Sequence, residues 1–210
     1  MKRFHRFTLV EILAVMALIA ILSSLGFGVY SYAKGKAQES ATEALMKQIE
    51  AGLGSFYAKH HYYPSSGGVF HEIKFTFGNA DGTLSEIDFG DASTKLTYIA
   101  SASSKADRAK NELFESFAKA VDIETIKNNL GNVTRDTNGK ITSGELVDTW
   151  GAKIYYRSPG TFKPGSYDLL SAGPDGVFGS DNAADPTAIT DLKKFRNDAG
   201  EKVCDDVFNF

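Results

Sequence analysis

A single cysteine, Cys204, is all the thiol chemistry these 210 residues contain. One thiol excludes an intramolecular disulfide framework and a cysteine-rich zinc site. A clustered basic surface is missing as well: 23 Lys and Arg stand against 26 Asp and Glu, for a net charge of -3 and a pI near 5.8. Nucleic-acid binding needs such a cluster to displace counterions, so no nucleic-acid partner is expected. The chain also lacks a nucleophile elbow, a phosphate loop and an HExxH run, and its four histidines, His5, His60, His61 and His71, have no triad spacing. No enzymatic role is expected. No internal repeat or low-complexity segment stands out.

What is present is unevenly spread. Overall, 42% hydrophobic residues and a mean hydropathy of -0.21 describe an ordinary soluble protein. From Leu9 to Tyr30, however, only Glu11, Ser23, Ser24, Gly26 and Gly28 are not hydrophobic. As a helix this segment would span about 33 Å, close to the ~30 Å hydrocarbon core of a bilayer. Lys2, Arg3 and Arg6 precede it, which places the N-terminus in the cytoplasm and everything beyond about residue 31 outside. A cleaved secretory signal shares these ingredients, but here the apolar run passes without a small-residue cleavage motif into a helical pattern. Glu11 is the anomaly. A carboxylate in lipid costs about 2.5–3.5 kcal/mol on insertion scales, so it marks a function unless it snorkels to the interface.

Beyond the apolar run, Ala33, Ala37, Ala41, Ala44, Leu45, Ile49, Leu53 and Phe56 recur at three- and four-residue steps. The expectation is one long helix from about Phe7 to His60, ended before Pro64. Small residues in its first half, Ala14, Ala17, Ala20, Ser23, Ser24, Gly26 and Gly28, would let helices pack closely. His60 and His61 point about 100° apart on a helix and make a poor two-ligand site, so they read as surface histidines. Strands are expected at Val69–Phe77, Thr83–Phe89, Lys95–Ala100, Lys153–Arg157 and Tyr167–Leu170, with Gly78–Gly82 as a turn. Leu113, Phe114, Phe117, Ala118, Val121 and Ile126 mark a second helix, Lys105 to Asn129. The class is α+β.

Two segments are rich in hard oxygen donors. Calcium takes about six to eight oxygens from a chain free to curl around it, and Asp175–Asp185, punctuated by Gly176 and Gly179, supplies them without sulfur or imidazole. Its other reading is a solvated acidic loop. Thr134–Glu145 follows EF-hand spacing, with Asp136, Asn138, Lys140, Thr142 and Glu145 as the candidate positions and Gly139 at the sixth. Asn138-Gly139 between Val133 and Ile141 equally reads as a hairpin turn.

Phe7-Thr8-Leu9-Val10-Glu11, followed by Ile12 to Leu22, resembles the N-terminal signature of type IV pilins and type II secretion pseudopilins. Asp148-Thr149-Trp150-Gly151, Tyr155-Tyr156-Arg157-Ser158-Pro159-Gly160 and Tyr167-Asp168-Leu169-Leu170-Ser171-Ala172-Gly173-Pro174-Asp175-Gly176 are similar to segments of the major pseudopilin, the general secretion pathway protein G type. The resemblance implies a pilin-like fold: a long N-terminal helix, half transmembrane, packed on a small antiparallel sheet with an inserted second helix. It implies a leader at 1–6, an assembly helix at 7–30, a periplasmic helical half at 31–64 and a globular domain at 65–210, insertion-rich at 66–145.

Carried over residue by residue, the resemblance implies cleavage between Arg6 and Phe7 by a prepilin peptidase and N-methylation of Phe7. The family usually has glycine where Arg6 stands, a bulky cation at a position where a protease must approach closely. Cleavage would take the net charge from -3 to -6, with 20 basic residues against 26 acidic. Glu11 would pair with the N-terminal amine of a neighbouring subunit during assembly. Structural calcium is implied in the C-terminal loop, held by the Ala172 carbonyl, Asp175 and Ser180 with one or more of Asp181, Asn182 and Asp185. The implied role is a structural subunit of a type II secretion pseudopilus, single-pass in the bacterial inner membrane with its C-terminal domain periplasmic. Its partners would be copies of itself in a helical filament, other pseudopilins, the inner-membrane assembly platform and membrane lipid. A type IV pilus pilin, major or minor and adhesive, is the alternative.

Overall fold

The computed structural model describes residues 8–78 and 82–210, with the side chains of residues 24–28 and 188 left aside. The leader 1–6, Phe7 and the middle of the Gly78–Gly82 turn lie outside the described residues, and the packing of Ser24, Gly26 and Gly28 falls in the part left aside. The chain divides into two compact units, Met1–Ser40 and Ala41–Phe210. The first α-helix, α1 (Leu9–His60), contributes to both. Sequence reading divided the chain at residues 30 and 64. The second unit starts earlier, at Ala41, because the later turns of α1 build its core.

α1 starts where Thr8 and Glu11 bond reciprocally. The Glu11 carboxylate accepts the Thr8 N–H at 2.8 Å, while the Thr8 hydroxyl accepts the Glu11 N–H at 3.3 Å. Two amide groups that the first turn leaves without helical partners are satisfied this way. In the first unit, ten large apolar side chains between Leu9 and Leu22 are each 52–75% exposed. Among the described residues no helix is long and apolar enough to cross a membrane.

In the second unit, Leu45, Met46, Ile49, Leu53 and Phe56 of α1 are at most 4% exposed. Ala41 and Ala44, expected on this stripe, face solvent, and Met46 takes a core place that the pattern did not assign. Two antiparallel sheets complete the core. The first runs in the order β1 (His71–Glu72), β7 (Ile154–Arg157), β8 (Asp168–Ser171), β9 (Val207–Phe208). The second runs β4 (Leu96–Thr97), β3 (Leu84–Asp88), β2 (Lys74–Phe77), β6 (Ile141–Leu146), β5 (Leu130–Arg135). The expected single strand Val69–Phe77 is thus split between two sheets. Ile73 is the switch: its N–H donates to the Ile154 carbonyl, and its own carbonyl accepts from Leu146.

The expected helix Lys105–Asn129 is broken as well, into α2 (Lys105–Ala118) and α3 (Ile123–Asn128). Asp122 causes the second start, its carboxylate accepting from the Glu124 N–H and the Thr125 hydroxyl. α2 opens on a capping box between Ser104 and Asp107. Where its end meets α1, a Cβ on Gly52 would come within 2.6 Å of the Phe117 ring, so this crossing requires glycine.

A second, smaller core joins Phe70, Leu170, Ala172, Phe178, Ile189 and Phe195, with Phe162, Phe208 and Phe210 partly buried around it. Phe178, within the acidic loop, and Ile189 and Phe195, beyond it, are each at most 5% exposed.

Candidate functional site

The region carrying the C-terminal motifs is organised by two buried carboxylates. Asp168, at the start of β8, is fully buried; it binds Arg157 at 2.6 Å and accepts the backbone N–H groups of Thr161, Phe162 and Lys163. The guanidinium lies 4.0 Å from the Phe70 ring centroid and 4.6 Å from that of Phe162. Its charge is therefore neutralised and sandwiched, and it holds the 158–167 loop to β7 and β8. Asp148 has the same function for the turn after β6. One of its oxygens accepts the Trp150 and Ala152 N–H groups at 2.8 and 2.9 Å, and the other accepts the Ser171 hydroxyl. Burial raises the Asp148 carboxyl above its ordinary value, partly offset by these bonds. Ser171 Oγ in turn accepts the Gly173 N–H at 3.2 Å, which ties the Trp150 turn to the start of the acidic loop.

At Gly173 the chain is left-handed (φ +67°), and a Cβ there would fall 2.5 Å from the Asp205 carbonyl oxygen. Loop and C-terminal tail thus run backbone against backbone. The consequence is a cluster: carboxylate oxygens of Asp175, Asp205 and Asp206 all lie within 4.8 Å of one another. Asp206 is fully buried. Its Oδ2 accepts the Gly179 N–H at 2.6 Å, and its Oδ1 has no hydrogen-bond partner. The neighbouring Cys204 thiol lies 3.9 Å from the Phe195 carbonyl and also interacts with the Asp206 carboxylate. Burial, with the Asp205 and Asp175 charges behind it, pushes the Asp206 carboxyl up to about 6, even against the bonds from Gly179 and Cys204. Burial and the Asp175 charge also raise Asp205.

The acids expected as ligands of one cation do not all meet here. Asp175 lies in the cluster, but Asp181 and Asp185 do not. Asp181 pairs with Lys194 at 2.7 Å, and Asp185 caps a short 3-10 turn by accepting the Thr187 N–H and hydroxyl. Asn182 occupies a left-handed turn position (φ 53°) inside the bridge between Phe178 and Ala183. Ser180 donates its N–H to the Lys194 carbonyl, and Ala172 is buried in the smaller core. Asp205 and Asp206 were missed. The only signal for them was an acid pair next to an apolar tail, 30 positions after Asp175. The three carboxylates and the unpartnered buried oxygen fit a hard cation such as calcium, which takes oxygen ligands and offsets like charges.

The EF-hand-like segment is a hairpin. Gly131 pairs with Glu145, Thr134 with Ser143 and Arg135 with Ile141, so Asp136 and Glu145 lie at opposite ends of the ladder. The Asp136 carboxylate accepts the Asn138 and Lys140 N–H groups, closing the turn on itself. Thr142 donates to the Thr134 carbonyl, and Glu145 binds Asn132, Lys153 and Lys74. Ladder bonding has won over loop closure, and the weak metal set Asp136, Asn138, Lys140, Thr142 and Glu145 does not converge. Glu11 is in the first turn of α1, bound to Thr8. Of the paired histidines, His61 is exposed, but His60 is half-buried and packs 4.7 Å from the Phe56 ring.

No curated protein matches the chain, and no solved structure does. Residues 125–189, from within α3 through β5 to β8 and into the acidic loop, match the family model described as Type II secretion system (T2SS), protein G. That match covers the Trp150 turn, the Asp168 anchor and Asp175, and it supports both the resemblance to the major pseudopilins and a type II secretion pseudopilin role in general.

Proposed function

We propose that this chain is a structural, non-enzymatic subunit of a type II secretion pseudopilus, held in the bacterial inner membrane by residues 7–30 with its C-terminal domain in the periplasm. The observation that carries the reading is the exposed apolar surface at Leu9–Leu22 on a helix, in a chain whose 125–189 segment matches the secretion-system family. Such a surface, apolar on all sides, suits lipid before assembly and neighbouring helices of the same kind after it. Glu11 would then meet the amine of a neighbouring Phe7 once the leader is removed. A carboxylate and an ammonium that are each costly alone in an apolar medium become tolerable together.

In this reading calcium has a structural role. Asp175 is the acid shared by the expected ligand set and the observed cluster, and a bound divalent ion would supply the positive charge that the three carboxylates lack.

The test is incorporation. Glu11→Ala should leave the melting of the second unit unchanged and stop entry into cross-linkable pseudopili. Wild-type entry by the variant would remove the pairing role. Mass spectrometry of the membrane-extracted protein should show an N-methylated Phe7; an intact Met1 would defeat leader processing. Assembly into long surface fibres in the absence of secretion components would favour the type IV pilus alternative.

A further inference from the structure

We infer that Tyr30, Tyr32, Lys34 and Lys36 form a collar around α1 that binds the phospholipid headgroups of the periplasmic leaflet and fixes the depth of the helix in the bilayer. The inference rests on the membrane-spanning reading above and names the residues that decide where the helix stops.

Val29, Tyr30 and Tyr32 are 71%, 67% and 71% exposed, on a helix that continues without a break into the next unit. They belong to the first unit, and no large apolar side chain follows them until Leu45 opens the core stripe. Lys34 and Lys36 are exposed as well. Their spacing is specific. Each tyrosine has a lysine four residues on, hence on its own face and one turn further from the apolar run. At about 100° per residue, the two tyrosines lie about 200° apart, on opposite sides of the helix. A single partner seated on one face would cover one pair and leave the other, whereas a medium that surrounds the helix takes both. Two cations just beyond the rings favour a medium that carries anions at that level, as phospholipid headgroups do. Lys36 shares its charge with Glu39 at 2.6 Å, so Lys34 is the stronger of the two anchors.

Distance along the helix agrees. From Glu11 to Tyr30 a helix advances about 28 Å, close to the ~30 Å hydrocarbon thickness, so Glu11 at the inner boundary brings the tyrosines to the outer one. A tyrosine is an apolar ring with a polar tip. Drawn inward it buries its hydroxyl away from water, and pushed outward it exposes its ring, so it resists displacement in both directions. Lysine adds a flexible stem that lies along apolar surface while its ammonium reaches phosphate. An apolar run without such a collar sets depth loosely, because tilt absorbs a mismatch in length.

The experiment uses the full chain carrying Cys204→Ser and Leu22→Cys, with a nitroxide on the new thiol, in vesicles of phosphatidylcholine with or without phosphatidylglycerol. Label depth is read from its relaxation by oxygen against a water-soluble nickel chelate. Tyr30→Ala with Tyr32→Ala should shift the label by roughly one helical turn, about 5 Å. Tyr30→Trp with Tyr32→Trp should restore the original depth, because tryptophan has the same interfacial preference. Without further change the label depth should differ between the two vesicle types, and Lys34→Gln should remove that difference. The melting of the second unit should be the same in every variant, which separates anchoring from folding. A label that stays in the bilayer at its original depth in the alanine pair overturns the collar and leaves the membrane reading intact. Unchanged depth together with lost entry into cross-linkable pseudopili assigns the tyrosines to contacts between helices, and overturns it too. A chain with both tyrosines that does not float with the vesicles removes the collar and the membrane reading alike.

Discussion

Residues 9–22 and residues 45–56 belong to one helix, α1, and are both rich in large apolar side chains, yet every such side chain between Leu9 and Leu22 is more than half exposed, while Leu45, Met46, Ile49, Leu53 and Phe56 are buried. The difference is in arrangement. In the later stretch the apolar residues form one stripe, with Glu43, Lys47 and Glu50 elsewhere on the surface, so one face can be buried and the other solvated. In the earlier stretch they surround the helix, and no single contact could cover them. Helical periodicity therefore separates a surface that the domain itself completes from one that it leaves exposed. The same residue types serve folding in one place and, in the proposed role, assembly in the other.

The largest test of this contrast is truncation. Phe56→Ala should destabilise the second unit by about 3–5 kcal/mol in chemical denaturation, because it opens a cavity in a packed core. Leu13→Ala should change the same transition by less than about 0.5 kcal/mol. Equal effects would end the distinction. The polar interior asks whether the contrast extends beyond apolar groups: Arg157→Ala strands the buried Asp168 carboxylate and should cost about 3–5 kcal/mol. A loss under about 1 kcal/mol would mean that Asp168 is satisfied by its three backbone donors alone.

Capping comes next, since both units use the same device. Ser104→Ala removes half of the α2 box and should lower stability by about 1 kcal/mol, whereas Thr8→Ala should fray the start of α1, seen as faster amide exchange there, without moving the unfolding of the second unit.

The smallest effect concerns pH. Burial raises Glu72 and Glu145, but the Lys153 hydrogen bonds and charge, joined by Lys74 and, for Glu145, by Asn132, outweigh it and hold both below the ordinary carboxylate value. In acid the folded chain therefore binds fewer protons than the unfolded one. The stabilisation is present above about pH 4.5 and is lost as pH falls through the folded values. Lys153→Met should flatten the melting-temperature profile between about pH 5 and 3 by an amount equivalent to about 1 kcal/mol or less.

Legibility in the sequence followed the range of the interactions. The end of α1 at His60 was readable from Pro64, and the strands at Lys153–Arg157 and Tyr167–Leu170 differ from β7 and β8 by one residue at most. These signals are local. The break between α2 and α3 was not read, although Asp122 signals it, because Val121 and Ile126 continue an apolar rhythm across the gap. The two-residue β9 has no periodicity to detect and exists only because Leu170 and Ser171 offer it an edge. Thr134–Glu145 shows the converse case: a spacing that suits metal coordination equally suits a hairpin turn, and cross-strand bonding forms the hairpin.

The sequence by itself determined the α+β class, the apolar segment with its single acid at Glu11, and the turn and cap chemistry, because each of these depends on neighbours a few residues away. Only the tertiary structure decided that Asp175 meets Asp205 and Asp206 and does not meet Asp181 and Asp185. Oxygen donors are interchangeable in composition, and what distinguishes them is the return of the chain to β8 after a long excursion, where Gly173 lets two backbones touch and one carboxylate is buried without a complete set of partners.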